Sequence, residues 1–230
     1  TESEKLFPVY KKIKQMQQNP ATTVPGGAST PWVERGPNNV AGRVRAMAWD
    51  PTSSNKVWAG GVTGGLWYNT NITSTTSQWQ KVNDFWDNIA VSCIAFDPNN
   101  SNILYVGTGE GYFAGSGRGA GIWKSTNGGT SFTQISSTSQ FYFVNDLVVR
   151  NESGSSVVYA AVTGSNYAGS WHGVASTGLQ RSTNGGTSWT QVLPNVSGSP
   201  ETPTDIDISQ NNTIWVGVDR NPYGNGGGKI

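Results

Sequence analysis

With one histidine, one cysteine and a charged fraction of 13%, this chain is poor in the side chains that most often carry chemistry. A lone histidine, His172, leaves no set of imidazoles for a zinc cluster and only one candidate for a His-dependent triad. Cys93 stands alone in the apolar run Val91-Ser92-Cys93-Ile94-Ala95-Phe96, so it makes no internal disulfide and is read as a small core residue. The net charge is +1 with no basic or acidic block, which removes the electrostatic footprint of a nucleic-acid binder. No apolar run approaches the roughly 18 residues of a membrane span. No signal-peptide pattern follows Thr1, as would also hold for a processed mature chain. Charge is about half the usual fraction of roughly 25%, and Ser, Thr, Asn and Gly are abundant; this balance leans toward a surface or secreted protein.

What the chain does contain is 30 glycines, 10 tryptophans and a repeated phrase. Ser125-Thr126-Asn127-Gly128-Gly129-Thr130-Ser131-Phe132 returns 57 residues later, at Ser182 rather than Ser125, as Ser182-Thr183-Asn184-Gly185-Gly186-Thr187-Ser188-Trp189. Around it, four short strand-like pieces recur. The first is Val44–Trp49, Ser92–Asp97, Asn145–Arg150 and Thr204–Ser209, apolar alternation stopped by Asp-Pro, Asn or Ser. The second is Lys56–Gly60, Ile103–Gly107, Val157–Ala161 and Thr213–Gly217. The third is Gly65–Tyr68, Gly121–Lys124, Gly178–Arg181 and Gly228–Ile230, and the fourth Trp79–Val82, Phe132–Ile135 and Trp189–Val192. Four strands in units of about 50–57 residues predict an all-β fold, a β-propeller of four-stranded antiparallel blades. With strands A to D named from the channel outward, the repeated phrase is the C-to-D hairpin: its Ser and Asn side chains bond nearby backbone, and its glycines supply positive φ.

On these residues the chain resembles the Asp-box (BNR, sortilin-like) propellers, whose pattern is Ser-x-Asp-x-Gly-x-x-Trp. The likeness carries to Ser125, Asn127, Gly129 and Phe132, and to Ser182, Asn184, Gly186 and Trp189, with asparagine in place of the usual aspartate. In that superfamily, which includes sialidases, xyloglucan hydrolases, sortilin-type receptors and photosystem assembly factors, the box is a structural turn on the blade rim. It marks fold and says little about function. A narrower resemblance, through Trp32–Val44, Ala59–Trp67 and Tyr105–Glu110, is to large secreted propeller proteins of Bacteroidetes exported by type IX secretion. It implies an extracellular or cell-surface bacterial protein.

Blades are expected at about 42–82, 89–135, 144–192 and 203–230, within a propeller region 32–230. Residues 32–35 match strand D and would complete the last blade. About three and a half blades do not close a ring, so the sequence reads as part of a larger propeller whose open edges are covered by more of its own polypeptide or by a partner, such as a component of a secretion machine. Ahead of it, Leu6, Val9, Tyr10, Ile13 and Met16 have helical spacing within residues 1–19, and 20–31 reads as a linker. The helix suits a docking element, a propeptide end or a helix packed on the propeller side.

The D-to-A and B-to-C loops of a propeller share one face, and here they are aromatic. The D-to-A loops hold Asp84, Phe85, Trp86 and Asp87, then Phe141, Tyr142 and Phe143. The B-to-C loops hold Glu110, Tyr112, Phe113 and Arg118, then Tyr167, Trp171 and His172, then Asp219, Arg220 and Tyr223. Aromatic faces stack on sugar rings while nearby polar groups bond hydroxyls, so Phe85, Trp86, Tyr112, Phe113, Arg118, Tyr142, Tyr167, Trp171, His172, Arg220 and Tyr223 are the candidate ligand-binding residues. A glycosidase needs two carboxyl groups roughly 5–9.5 Å apart. The candidates are Asp84, Asp87, Glu110 and Asp219, with Asp205 and Asp207 further along the chain. Where xyloglucan hydrolases have Thr-Asp-Val-Gly-Gly, with a catalytic acid, this chain has Gly61-Val62-Thr63-Gly64-Gly65, and Val62 fills the acid's place. Arg43 and Arg45 flank the first A strand, but no sialidase-like arginine triad follows. Asp205-x-Asp207 is the one pattern that suits calcium; no other metal or cofactor is indicated. The glycine runs 115–119 and 224–228 lack the Lys-Ser/Thr and helix of a phosphate loop.

The leading expectation is a glycan- or protein-binding or scaffold module, leaning away from an enzyme. A polysaccharide-directed hydrolase and an interaction platform handled by a secretion or assembly partner are the alternatives.

Overall fold

The computed structural model describes residues 43–82, 90–111, 117–220 and 226–229, together with Lys11. The helix expected over 1–19, apart from Lys11, the linker 20–31 and the outer strand 32–35 lie outside the described residues. Four antiparallel sheets follow one another along the chain. The first is β1 (Val44–Trp49), β2 (Val57–Gly61), β3 (Gly65–Asn69) and β4 (Gln80–Lys81); the second is β5 (Val91–Asp97), β6 (Asn100–Thr108), β7 (Ile122–Ser125) and β8 (Thr133–Gln134). The third opens with β9 (Val144–Glu152) and β10 (Ser155–Val162). A small hairpin, β11 (Ser165–Tyr167) and β12 (Ser170–His172), interrupts it before β13 (Gly178–Ser182) and β14 (Thr190–Gln191). A second hairpin, β15 (Asn195–Val196) and β16 (Ser199–Pro200), leads to a three-stranded sheet of β17 (Thr202–Ile208), β18 (Ile214–Arg220) and β19 (Gly226–Lys229). Each sheet is a meander, as expected of A-B-C-D blades. Among the described residues the helical pieces are Lys11 and two 3-10 turns, Ser136–Thr138 and Val174–Ser176, and no helix there is long and apolar enough to cross a membrane.

Turn chemistry explains the meanders. Ser153-Gly154, Ala168-Gly169 and Ser197-Gly198 have positive φ at both residues, as a two-residue hairpin loop with the twist of its strands requires. The box turn is held by its own side chains. Ser125 Oγ donates to Asn127 Oδ1 and accepts from Gly129 N–H, while Asn127 Oδ1 accepts from Ser131 N–H and Nδ2 donates to Ser131 Oγ. Ser182, Asn184, Gly186 and Ser188 repeat every one of these bonds. An asparagine suits this position because its amide accepts and donates at once.

The A strands β1, β5, β9 and β17 pack side by side in chain order. All four carry a bulge at the same register, with Arg45, Ser92, Asn145 and Thr204 as the extra residues. Two of these extra residues reach the next blade: Ser92 Oγ donates to Val144 O, and Asn145 Nδ2 donates to Pro203 O. Strand B opposite each bulge carries a small residue. At Gly60 an added Cβ would stand 2.3 Å from Val91 Cγ1, and at Gly107 2.3 Å from Cys93 Sγ and 2.8 Å from Val144 Cγ1. At Gly60 and Gly107 the blades therefore touch through backbone that admits no side chain. Three apolar clusters fill the three seams between blades. Trp58, Leu66 and Val106 lie in the first, Tyr105, Leu147 and Ala160 in the second, and Tyr159, Leu179 and Ile206 in the third.

Candidate ligand-binding face

Loops from blades 2 and 3 meet at one end of the sheets. Gly119 N–H donates to Tyr142 O, and Ser165 Oγ donates to Gly111 O, tying the B-to-C loop of blade 2 to the D-to-A loop that follows and to hairpin β11–β12. On this frame Arg118 places its guanidinium 4.8 Å from the Tyr142 ring centre. His172 stands edge-on to Tyr142 at 6.1 Å and to Tyr167 at 5.7 Å. Tyr142 Oη donates to Gln140 Oε1, which fixes the ring. Trp171, next to His172 on β12, is 58% exposed. The structure thus gathers Arg118, Tyr142, Tyr167 and His172, which were expected on this face, with Trp171 as its exposed neighbour.

Phe141 and Phe143, in the same aromatic loop but not among the candidate ligand-binding residues, are buried and belong to the core. Phe141 packs edge-on against Trp189 at 5.6 Å. Tyr142, between Phe141 and Phe143, is half-buried. Arg220 is exposed at the end of β18, where its N–H donates to Asp219 Oδ1. Asp84, Phe85, Trp86, Asp87, Tyr112, Phe113 and Tyr223 lie outside the described residues.

Glu110 is 2% exposed, and its Oε2 lies 3.5 Å from Arg43 Nη2 and 3.6 Å from Arg45 Nε, so the start of blade 1 is bound to the B-to-C loop of blade 2. A buried carboxylate between two guanidiniums serves first to join blades. Sequence reasoning saw these two arginines only as members of a missing triad; their spacing from Glu110 in the chain carries no signal of the contact.

Asp146, at the inner edge of blade 3, was not foreseen as a functional group. Its Oδ1 accepts from Leu147 N–H and its Oδ2 from Ile206 N–H on blade 4. Burial pushes its carboxyl up to about 6, with the Asp205 carboxylate adding to the rise and the two backbone N–H groups and Arg45 opposing it. A carboxyl whose value rises on folding stabilises the fold below its unfolded value and loses that contribution as pH climbs through the folded one. Between about pH 4 and pH 6 this group alone should therefore lower stability by roughly 3 kcal/mol at most. A carbon-13 titration of the Asp146 carboxyl is expected to show a midpoint near 6; a midpoint near 4 would refute the assignment. Among the described residues no group of three or more His, Cys, Asp or Glu is placed to hold a metal ion, and Asp205 and Asp207 are both exposed.

Among solved structures, the chain is similar to an ancestral GH74 enzyme, with 25% identity and a TM-score of 0.54 over 76% of this chain and 22% of that one. It is also similar to the GH74 xyloglucanase from Xanthomonas campestris, with 15% identity and a TM-score of 0.51 over 76% of this chain and 27% of that one. The fold is a segment of a β-propeller. YCF48 bound to D1 peptide is a more distant match, at 14% identity and a TM-score of 0.46 over 75% of this chain and 47% of that one. The propeller segment spans about a quarter of the length of the GH74 structures it matches. No family model matches it, and no curated protein matches it.

Proposed function

We propose that this propeller segment binds glycan, as part of a secreted or cell-surface bacterial protein, and that the ligand stacks on the loop face of blades 2 and 3. The observation that carries the reading is the cluster of Arg118, Tyr142, Tyr167 and His172 with exposed Trp171 beside it. Aromatic rings offer flat apolar surface to the C–H faces of sugars, and Arg118 and His172 supply polar atoms for hydroxyls. The likeness to a GH74 enzyme at 25% identity supports polysaccharide as the ligand class. The export reading is supported by the low charge and by the phrases Trp32–Val44 and Tyr105–Glu110.

Calorimetry with xyloglucan and other plant or bacterial oligosaccharides tests the proposal. Binding is expected, and Trp171→Ala should weaken it about tenfold, roughly 1.4 kcal/mol, without changing the fold, because the indole is mostly in solvent. A folded chain that binds none of the glycans sinks the reading. Release of reducing ends in the same mixtures, lost in Asp219→Asn, would put a hydrolase in its place.

A further inference from the structure

The two box turns share seven residues in a row, Ser-Thr-Asn-Gly-Gly-Thr-Ser, beginning at Ser125 and at Ser182. Each therefore contains an asparagine followed by glycine, Asn127-Gly128 and Asn184-Gly185. The backbone nitrogen after an asparagine can attack the side-chain Cγ, and glycine leaves that nitrogen unshielded because it has no Cβ. The side-chain half of this reaction is set up alike in both turns. Oδ1 accepts from the first serine hydroxyl at 2.9 Å and from the last serine N–H at 3.0 Å, and Nδ2 donates to the last serine Oγ at 2.8 Å. Two donors on Oδ1 draw electron density from Cγ and are placed to hold the negative charge that attack puts on Oδ1. Both asparagines are exposed, so water reaches them.

The attacking half differs. Gly128 N–H donates to Asn102 O of β6 at 2.9 Å, and Asn127 O accepts from Thr130 N–H at 3.4 Å and from Thr130 Oγ1 at 3.0 Å. The Asn127–Gly128 peptide is thus held at both ends. In the second turn Thr187 Oγ1 donates to Asn184 O at 3.1 Å, but among the described residues no acceptor takes the Gly185 N–H. Ser156 holds the register of Asn102, two residues before the strand-B partner of the turn's first serine. It is paired with Asn151 of β9, its Oγ donates to Asp97 Oδ1, and no bond joins it to Gly185. The peptide plane that must rotate to bring nitrogen onto Cγ is therefore tied at one end only.

We propose that Asn184 is a deamidation site of the folded protein, and that Asn127 is its protected counterpart. Gly185 N gives up its proton to water or hydroxide and forms a bond to Asn184 Cγ. The Cγ–Nδ2 bond breaks, and the nitrogen takes up a proton and leaves as ammonia. Water then opens the cyclic imide at either carbonyl, which leaves aspartate or isoaspartate at position 184. The aspartate product keeps acceptors for Ser182 Oγ and Ser188 N–H. The isoaspartate product adds a methylene to the main chain where there is no slack: Lys124 Nζ donates to Gly185 O, Ser137 Oγ donates to Gly186 O, and an added Cβ on Gly186 would stand 2.6 Å from Ile135 Cδ1. That product loosens the seam between blades 2 and 3. The site is on the C-to-D rim, away from the glycan face, so the two proposals stand or fall separately.

The test ages the full chain in mildly alkaline buffer, with and without urea, and follows each asparagine by peptide mapping and mass spectrometry. In the folded chain Asn184 is expected to convert at least about fivefold faster than Asn127, the factor set by one hydrogen bond of about 1 kcal/mol. In urea the two rates should coincide, because the seven residues around them are identical. Asn225-Gly226, whose asparagine lies outside the described residues, maps to a separate peptide and does not enter the comparison. Amide exchange of the nitrogen-15-labelled chain gives a second readout: Gly185 N–H should exchange at least about fivefold faster than Gly128 N–H. Equal conversion in the folded chain, faster conversion at Asn127, a rate ratio that persists in urea, or equal protection of the two glycine amides each overturn the proposal.

Discussion

Gly107→Val is expected to cost about 3 kcal/mol or more, enough to unfold a marginal domain at room temperature. Any Cβ at this site would stand 2.3 Å from Cys93 Sγ and 2.8 Å from Val144 Cγ1, and both of those residues are buried. Neither can retreat: Cys93 is paired to Gly107 across the sheet, and Val144 begins the next blade. A control separates crowding from backbone preference. Gly154 has φ of +89° but nothing within 4 Å of an added Cβ, so Gly154→Ala should cost only about 1 kcal/mol. Urea unfolding followed by tryptophan fluorescence gives both values. A Gly107→Val chain within 1 kcal/mol of the parent would mean that the blades do not approach here as described.

Trp58→Ala is expected to cost about 3–5 kcal/mol, the range for deleting a buried large aromatic. The indole is 1% exposed and Nε1 donates to Asp50 Oδ2. Burial raises the Asp50 carboxyl, but hydrogen bonds from Lys56, Thr52 and Trp58 outweigh it and hold the group at about 2. Gly129→Ala should cost about 2–4 kcal/mol, since φ there is +84° and the new methyl meets the Trp58 ring. The decisive measurement is the double variant. With the indole gone the methyl has room, so the double variant should lose less than the sum of the two single losses by at least about 1 kcal/mol. Strict additivity would show that the turn does not rest on the ring.

The fold was readable because its determinants are local. The box Ser125–Phe132 and its copy encode their own hairpin through side chains two and four residues apart. The strand-B pattern of an aromatic two residues before glycine, as in Trp58-Ala59-Gly60 and Tyr105-Val106-Gly107, sets register against strand A. The relations between blades were not readable, because they join residues about 50 or more positions apart. Ser92 to Val144 and Asn145 to Pro203 are examples. At the candidate site, loop composition alone pointed to Arg118, Tyr142, Tyr167, Trp171 and His172. Tyr142 was singled out there from Phe141 and Phe143, whose rings are buried, Phe141 against Trp189. Glu110 read as a candidate catalytic acid, whereas Arg43 and Arg45 flank it.

The bulge bonds run in one direction. Ser92 of blade 2 waits on a carbonyl of blade 3, and Asn145 of blade 3 waits on one of blade 4, while Thr204 Oγ1 turns back to Gly217 O of its own sheet. During synthesis from the N-terminus, the later blade at each of these two bulges arrives as the acceptor for a donor already made. At the seams of blades 2–3 and 3–4, the bulge bond is thus completed by the later of the two members, in the order in which the ribosome delivers them.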